Sequence, residues 1–257
     1  MGVKMTRWMI SLAVATMFLA ASGQVQADKF AKLMMKKADK AFDKRVNAAK
    51  AKKSKELYEK VLAVDSGNYE ARWKLGRLLY WIGTHVKSDK EKMKIFEEGI
   101  RYCQEAIKLK DDCVECHFWL GVSYGKYGEA KGIMQSLGLV PHLKESMNKA
   151  YKLDKTSNWG GPDRVLGRLY HQLPGIKGGD NNKAIEHYKA AIKISPQHLM
   201  NHRFLAEVLL DEGKKDEAKD SLKFILDMPQ GSFIKDVAPE MAEEKEKAQK
   251  LWDKNFK

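Results

Sequence analysis

One pattern recurs four times along the chain and limits what it can fold into. Trp73-Lys74-Leu75-Gly76-Arg77-Leu78-Leu79-Tyr80 is echoed by Phe118-Trp119-Leu120-Gly121-Val122-Ser123-Tyr124 and by Arg164-Val165-Leu166-Gly167-Arg168-Leu169-Tyr170. A looser copy is Arg203-Phe204-Leu205-Ala206-Glu207-Val208-Leu209. Each places a large apolar residue beside a small one, with a bulky residue three positions on. Repetition with period-3.6 apolar spacing points to stacked helices that bury their faces against neighbouring copies. No segment alternates with period two for long enough to argue a strand.

The second half of each unit agrees. Ala106-Ile107-Lys108-Leu109, Ala150-Tyr151-Lys152-Leu153 and Ala191-Ile192-Lys193-Ile194 each close a second helix, followed by turns at Asp111-Asp112, Asp154-Lys155 and Ser195-Pro196. In the last unit Ala206, Ala218 and Leu222 keep the spacing of a repeat of about 34 residues. The three before it carry insertions around 84–90, 129–138 and 173–179. The expected fold is therefore all-α, a tetratricopeptide-repeat (TPR) solenoid of antiparallel helix pairs. Its expected organisation is a signal peptide over 1–27 and one repeat domain over 28–257. Within that domain, 28–66 form leading helices, 67–230 the repeats and 231–257 a capping helix, with the charged face of Val237–Phe256 closing the stack.

The N-terminus predicts export. Lys4 and Arg7 precede an apolar run from Ile10 to Ala21, and Val25-Gln26-Ala27 has the small-x-small form of a cleavage site. The run is short of the roughly 20 apolar residues a membrane span needs. A periplasmic protein is expected, with no transmembrane span after cleavage. The formal charge is +13, and much of the excess sits between Asp28 and Lys60, where lysines crowd together with few acids. Export argues against nucleic acid and leaves an acidic protein, an anionic ligand, a lipid surface or a solvated helix face.

In such a stack the first helix of each pair lines the concave face. The small residue sets the register and places Trp73, Arg77, Tyr80, Phe118, Val122, Arg164, Arg168, His171, Arg203 and Glu207 towards it. This is a groove of aromatics and arginines, the candidate site for a partner or ligand. Arg164 and Arg168 lie one turn apart and are positioned to converge on one carboxylate or phosphate. Gly160-Gly161-Pro162-Asp163 just before them reads as a helix start that adds N–H donors. Asp163 and Glu207 are the carboxylates that would neutralise these arginines instead.

Cys113-Val114-Glu115-Cys116-His117 matches the attachment signature of c-type haem. Haem would use both thiols and His117, with Met134 and His142 as distal candidates, making the chain an electron carrier. Its register opposes that, because His117 falls on a packing position of a repeat helix. The other reading is a disulfide from Cys103 to Cys113 or Cys116, or free thiols. No cofactor is expected otherwise. His198 and His202 have metal spacing but no third ligand, the glycines of 173–179 lack the Walker spacing, and no catalytic motif is present, so no enzyme activity is expected.

Three segments together resemble the TatT-like T component of TRAP transporters, a family of periplasmic TPR proteins. They are Cys116–Gly125, Gly128–Leu137 and Gly160–Tyr170, joined by the Leu173–Gly179 loop. The resemblance implies a helper beside a periplasmic solute-binding protein, handling a small organic acid, and a trimer with a central pore. The family also gives His117 a structural role, and its members are often lipoproteins, whereas this signal has no lipid-accepting cysteine. Beside it stands a scaffold for envelope assembly, with the basic helix of 28–60 meeting an acidic partner.

Overall fold

A computed structural model describes residues 25–257. The described residues form helices throughout: α1 (25–42), α2 (Ala48–Val64), α3 (Tyr69–Thr84), α4 (Asp89–Leu109), α5 (Val114–Lys131), α6 (Val140–Leu153), α7 (Ser157–Gln172), α8 (Asn181–Ile194), α9 (Leu199–Asp211), α10 (Lys215–Asp227) and α11 (Ala238–Phe256). Short 3-10 turns sit at Met134–Leu139, Gly175–Lys177, Gln230–Ser232 and Lys235–Val237. Sequential helices pack as antiparallel pairs, and α3, α5, α7 and α9 also touch one another in series. That second set of contacts makes a solenoid, with the first helices of successive pairs forming its inner wall.

The small residues of the repeated motif are what let the helices approach. A Cβ on Gly76 would lie 2.3 Å from Cys103 Sγ, and one on Gly121 would lie 2.2 Å from Met147 Cε. Gly167 sits under the ring of Tyr188, which is wholly buried. Ala106, Ala150 and Ala191, the closing alanines of the second helices, are wholly buried too. The core is accordingly a row of clusters between pairs rather than one centre. Helix starts are set by side chains: Asn47, Asn68, Ser88 and Asp180 each accept a backbone N–H from the first turn that follows.

Two expectations need adjusting. Helix α7 does not begin as a simple capped helix. Asn158, Trp159 and Gly160 have φ of 48°, 58° and 72°, a left-handed turn separated from Pro162 by Gly161 alone. Such a run in non-glycine residues persists only where its surroundings hold it; here Arg164 donates to the carbonyls of Asn158 and Trp159 at 3.1 and 3.2 Å. The capping helix also does not turn its charged face wholly to solvent. Met241, Glu244 and Ala248 are its buried residues, against α9 and α10.

Gly160 has no room for a side chain, since a Cβ would come within 2.9 Å of Ala191 Cα. Gly160→Ala adds that clash to left-handed strain and is expected to cost about 1–3 kcal/mol, read as a lower urea midpoint. An unchanged midpoint would mean that the turn is not formed.

Candidate functional site

The helix ends and inserted turns enclose a cavity of about 300 Å³ on the inner side of the solenoid. Its wall takes Tyr80 from α3, Phe118 and Trp119 from α5, Leu139 from the turn after α5, and Trp159 at the kink of α7. Five arginines also reach it: Arg45, Arg77, Arg164, Arg168 and Arg203. The insertions are thus structural parts of the wall: Glu129, Ile133 and Ser136 come from the second, Thr84 from the first and Leu173 from the third.

The far wall is α11, which supplies Glu240, Glu243, Glu244 and Lys247. It meets residues from both ends of the chain. Arg45, between α1 and α2, pairs with Glu240 and donates to the Asp236 carbonyl at 3.0 Å. His85, at the end of α3, meets Glu243 at 2.7 Å. Arg203 on α9 pairs with both Glu244 and Glu207. Glu207 also takes Arg168 at 2.8 Å. The solenoid's two ends are therefore clasped across the groove by carboxylates of the last helix.

Seven of the residues that the repeat register points inwards line this cavity: Arg77, Tyr80, Phe118, Val122, Arg164, Arg168 and Arg203. Trp73 instead packs on the Cys113–Cys116 cluster, and His171 meets Asp211 at 2.7 Å. Arg164 and Arg168 do not converge on one acceptor. Arg164 is spent on the α7 kink and on Asn201 Oδ1 at 3.0 Å. Asp163 neutralises neither arginine, because it accepts from His187 at 2.8 Å. Arg77 lies 3.9 Å from the centre of the Phe42 ring and 5.2 Å from that of Trp73. No carboxylate stands within ion-pair distance of Arg77 or Arg164 among the described residues.

Sequence reasoning missed Arg45, His85 and the glutamates of α11. The signal was present as Glu240, Glu243, Glu244 and Lys247 at i, i+3, i+4 and i+7, which is one helix face. Nothing in the sequence distinguishes such a face from a solvated one until the solenoid curls round to meet it.

The environment shifts several of these groups. Burial lowers the Arg164 guanidinium to about 10, only partly offset by Tyr80 and Glu244. Burial alone would raise the Glu244 carboxyl, but the charges of Arg203 and Lys247 outweigh it and hold it below the ordinary value. Glu129 behaves alike, with Lys126 and Arg168 overcoming burial. Burial and then the charge of Arg164 keep His198 neutral well below the usual imidazole range, and burial lowers His202.

The cysteines correct the expected pairing. Cys113 and Cys116 are joined to each other, with Cα atoms 5.3 Å apart. Cys103 is free and wholly buried beneath Gly76. The reason is local: Cys113 is the N-cap of α5 and Cys116 lies on its first turn, so the two face each other before any other thiol. Haem does not fit here. Both sulfurs are consumed and buried among Tyr69, Trp73 and Ile107, and His117 Nε2 is engaged by the Asp111 carbonyl at 2.7 Å. His198 and His202 hold no metal geometry either. The first sits against Trp159 and the second meets the Pro196 carbonyl at 2.7 Å. Among the described residues no group of three or more metal-binding side chains occurs.

Comparison with known proteins gives this geometry its context. Residues 34–159 match the family described as regulator of microtubule dynamics protein 1-3. A protein of Xenopus laevis, regulator of microtubule dynamics protein 3, is 24% identical over 199 residues, covering 68% of this chain. The chain spans 42% of that relative's length. Among solved structures, a thermophilic TPR protein of Thermus thermophilus has a TM-score of 0.60 at 14% identity, with coverage of 85% of this chain and 98% of that one. The MamA protein has a TM-score of 0.49 at 21% identity, covering 86% and 96%.

These matches overturn the TatT-like assignment, since the similarity is to regulators of microtubule dynamics and not to a transporter component. The helper role beside a solute-binding protein falls with it, as do the periplasmic placement and the envelope-assembly and electron-carrier alternatives built on it. Most of the expected signal peptide lies in residues 1–24, outside the described residues. No described helix is long and apolar enough to cross a membrane. The chain is an all-α repeat solenoid of the TPR type. Proteins with this fold act as scaffolds for protein–protein contacts.

Acid should weaken the fold in two stages, because every shift described for the carboxylates and histidines is downwards. The stability they confer is complete above the unfolded values and is lost as pH falls. The first stage begins below about 6.5 as the unfolded chain takes protons that buried His198 and His202 refuse. The second begins below about 4.5, as the unfolded chain takes protons that Glu244 and Glu129 accept only at lower pH in the fold. Urea melts across pH 3–8 should show both slopes. Glu244→Gln should flatten the second and, by leaving Arg203 short of a buried partner, cost about 3–5 kcal/mol at pH 7.

Proposed function

We propose that this chain is a regulatory scaffold, one repeat domain over 28–257, that holds an acidic helical segment of a partner protein in its concave groove. The observation that carries this reading is the chain's own use of the groove: Glu240 and Glu244 of α11 lie on Arg45 and Arg203. The surface is thereby suited to a helix bearing carboxylates three and four residues apart. Arg77, flanked by Phe42 and Trp73 and without a carboxylate, is the free anchor. Arg168 and Tyr80 stand beside it on the cavity wall, buried Phe118 and the Arg203–Glu244 pair lie beneath them, and Arg164 supports the wall from behind through the α7 kink. Trp73 and His171 belong to its rim.

The regulators of microtubule dynamics that the chain resembles suggest which partner to try first, a microtubule. Co-sedimentation should compare the unaltered chain with Arg77→Glu, a change at a partly exposed residue that breaks no ion pair. Loss of at least tenfold in affinity is expected for the variant, while the lost ring contacts with Phe42 and Trp73 lower the thermal midpoint only slightly and leave the fold intact. Equal binding by both forms would remove the groove from the interaction. An unaltered chain that stays in the supernatant would exclude microtubules as its partner.

A further inference from the structure

A strongly basic surface lies outside the groove, on α1. Its inner stripe, Ala31, Met34, Ala38 and Phe42, is buried. At about 100° per residue, Lys29, Lys32, Lys36, Lys37 and Lys40 fall on the other side, and all five are exposed. Phe30 and Leu33, 41% and 48% exposed, stand among them. Of the nearby acids, Asp39 is turned aside onto Tyr58 Oη at 2.6 Å and Lys74 at 2.9 Å. Among the described residues, Lys36, Lys37 and Lys40 meet no carboxylate at ion-pair distance. Lys44 and Val46, the latter 70% exposed, extend the same character beyond the helix end.

We propose that this face of α1 docks the protein on an anionic lipid surface, with Phe30 and Leu33 entering the headgroup boundary and the lysines above them meeting phosphates. Two features favour lipid over an acidic protein. Apolar side chains are interleaved with the charges, as an interfacial helix requires. The cations are also all lysines, strongly hydrated point charges suited to a diffuse negative surface, whereas specific carboxylate partners favour the planar fork of arginine. The arginines of this region, Arg45 and Arg77, face the cavity instead. Each lysine near such a surface is worth roughly fivefold in affinity. The inference uses none of the groove residues and stands apart from the function proposed above.

The test places an environment-sensitive dye on Leu33→Cys in the full chain. Cys103 is buried and Cys113 is joined to Cys116, so labelling is selective. The dye reports on α1 itself, whatever the apolar run of residues 10–21 does. A blue shift is expected with phosphatidylcholine vesicles containing 30% phosphatidylserine, and none with phosphatidylcholine alone. It should be lost in 0.5 M salt and fall at least tenfold in affinity when Lys32→Glu and Lys36→Glu are combined. Equal shifts on both vesicles, or none on either, would overturn the proposal. A shift with polyglutamate but not with vesicles would reassign the face to an acidic protein and overturn it equally.

Discussion

The buried pair of Arg203 and Glu244 holds together the parts that make this solenoid distinctive. Arg203 sits on the last inner helix and Glu244 on the capping helix, and both are almost wholly excluded from water. Two such charges have a large desolvation cost, which only close pairing and further hydrogen bonds offset. Those are supplied: Glu207 bridges Arg203 to Arg168, and Lys247 takes the second oxygen of Glu244 at 2.8 Å. Because the network fixes α11 over the groove, it also brings Glu240 to Arg45 and Glu243 to His85 at the other end of the chain. A buried pair of this kind is weak evidence for extra stability. Its effect here is on geometry, since an apolar substitute would pack α11 without specifying which face looks inwards.

The scaffold beneath that network was largely legible. Gly76, Gly121, Gly167 and Ala206 announce close helix approach by their place beside large apolar residues, and the structure uses each in that way. Contacts inside a pair are local, so a 3.6-residue period and one small residue are enough to infer them. The repeat register also places Arg77, Tyr80, Phe118, Arg164, Arg168 and Arg203 along one cavity, whereas Trp73 and His171 lie outside it. What was not legible depends on distance along the chain. Arg45 and Glu240 are 195 residues apart, and their meeting follows from the summed curvature of all the pairs between them. The left-handed turn at 158–160 was hidden for a different reason. Gly160 and Pro162 fit an ordinary helix start as readily as a reversed one, and the choice is made by the contacts of Arg164.

The cysteines and the family resemblance show the opposite failure, in which a short motif promises more than it holds. Cys113 and His117 fit a haem signature in spacing, yet the first turn of α5 presents them to the preceding pair rather than to open space. The glycine-framed segments that resemble a transporter component are those that any TPR solenoid with these insertions needs for packing. Shared packing demands explain the likeness, and the similarity to regulators of microtubule dynamics overturns it.

Closure of the solenoid by its own last helix is the central claim, and a distance measurement tests it most directly. Spin labels at Val46→Cys and Lys250→Cys occupy exposed positions beside Arg45 and on α11. Pulsed electron resonance should give one narrow distance distribution, broadened when Glu240→Lys and Glu243→Lys remove the clasp. A broad distribution in the unaltered chain, insensitive to those changes, would mean that the groove stands open and that α11 is not its far wall.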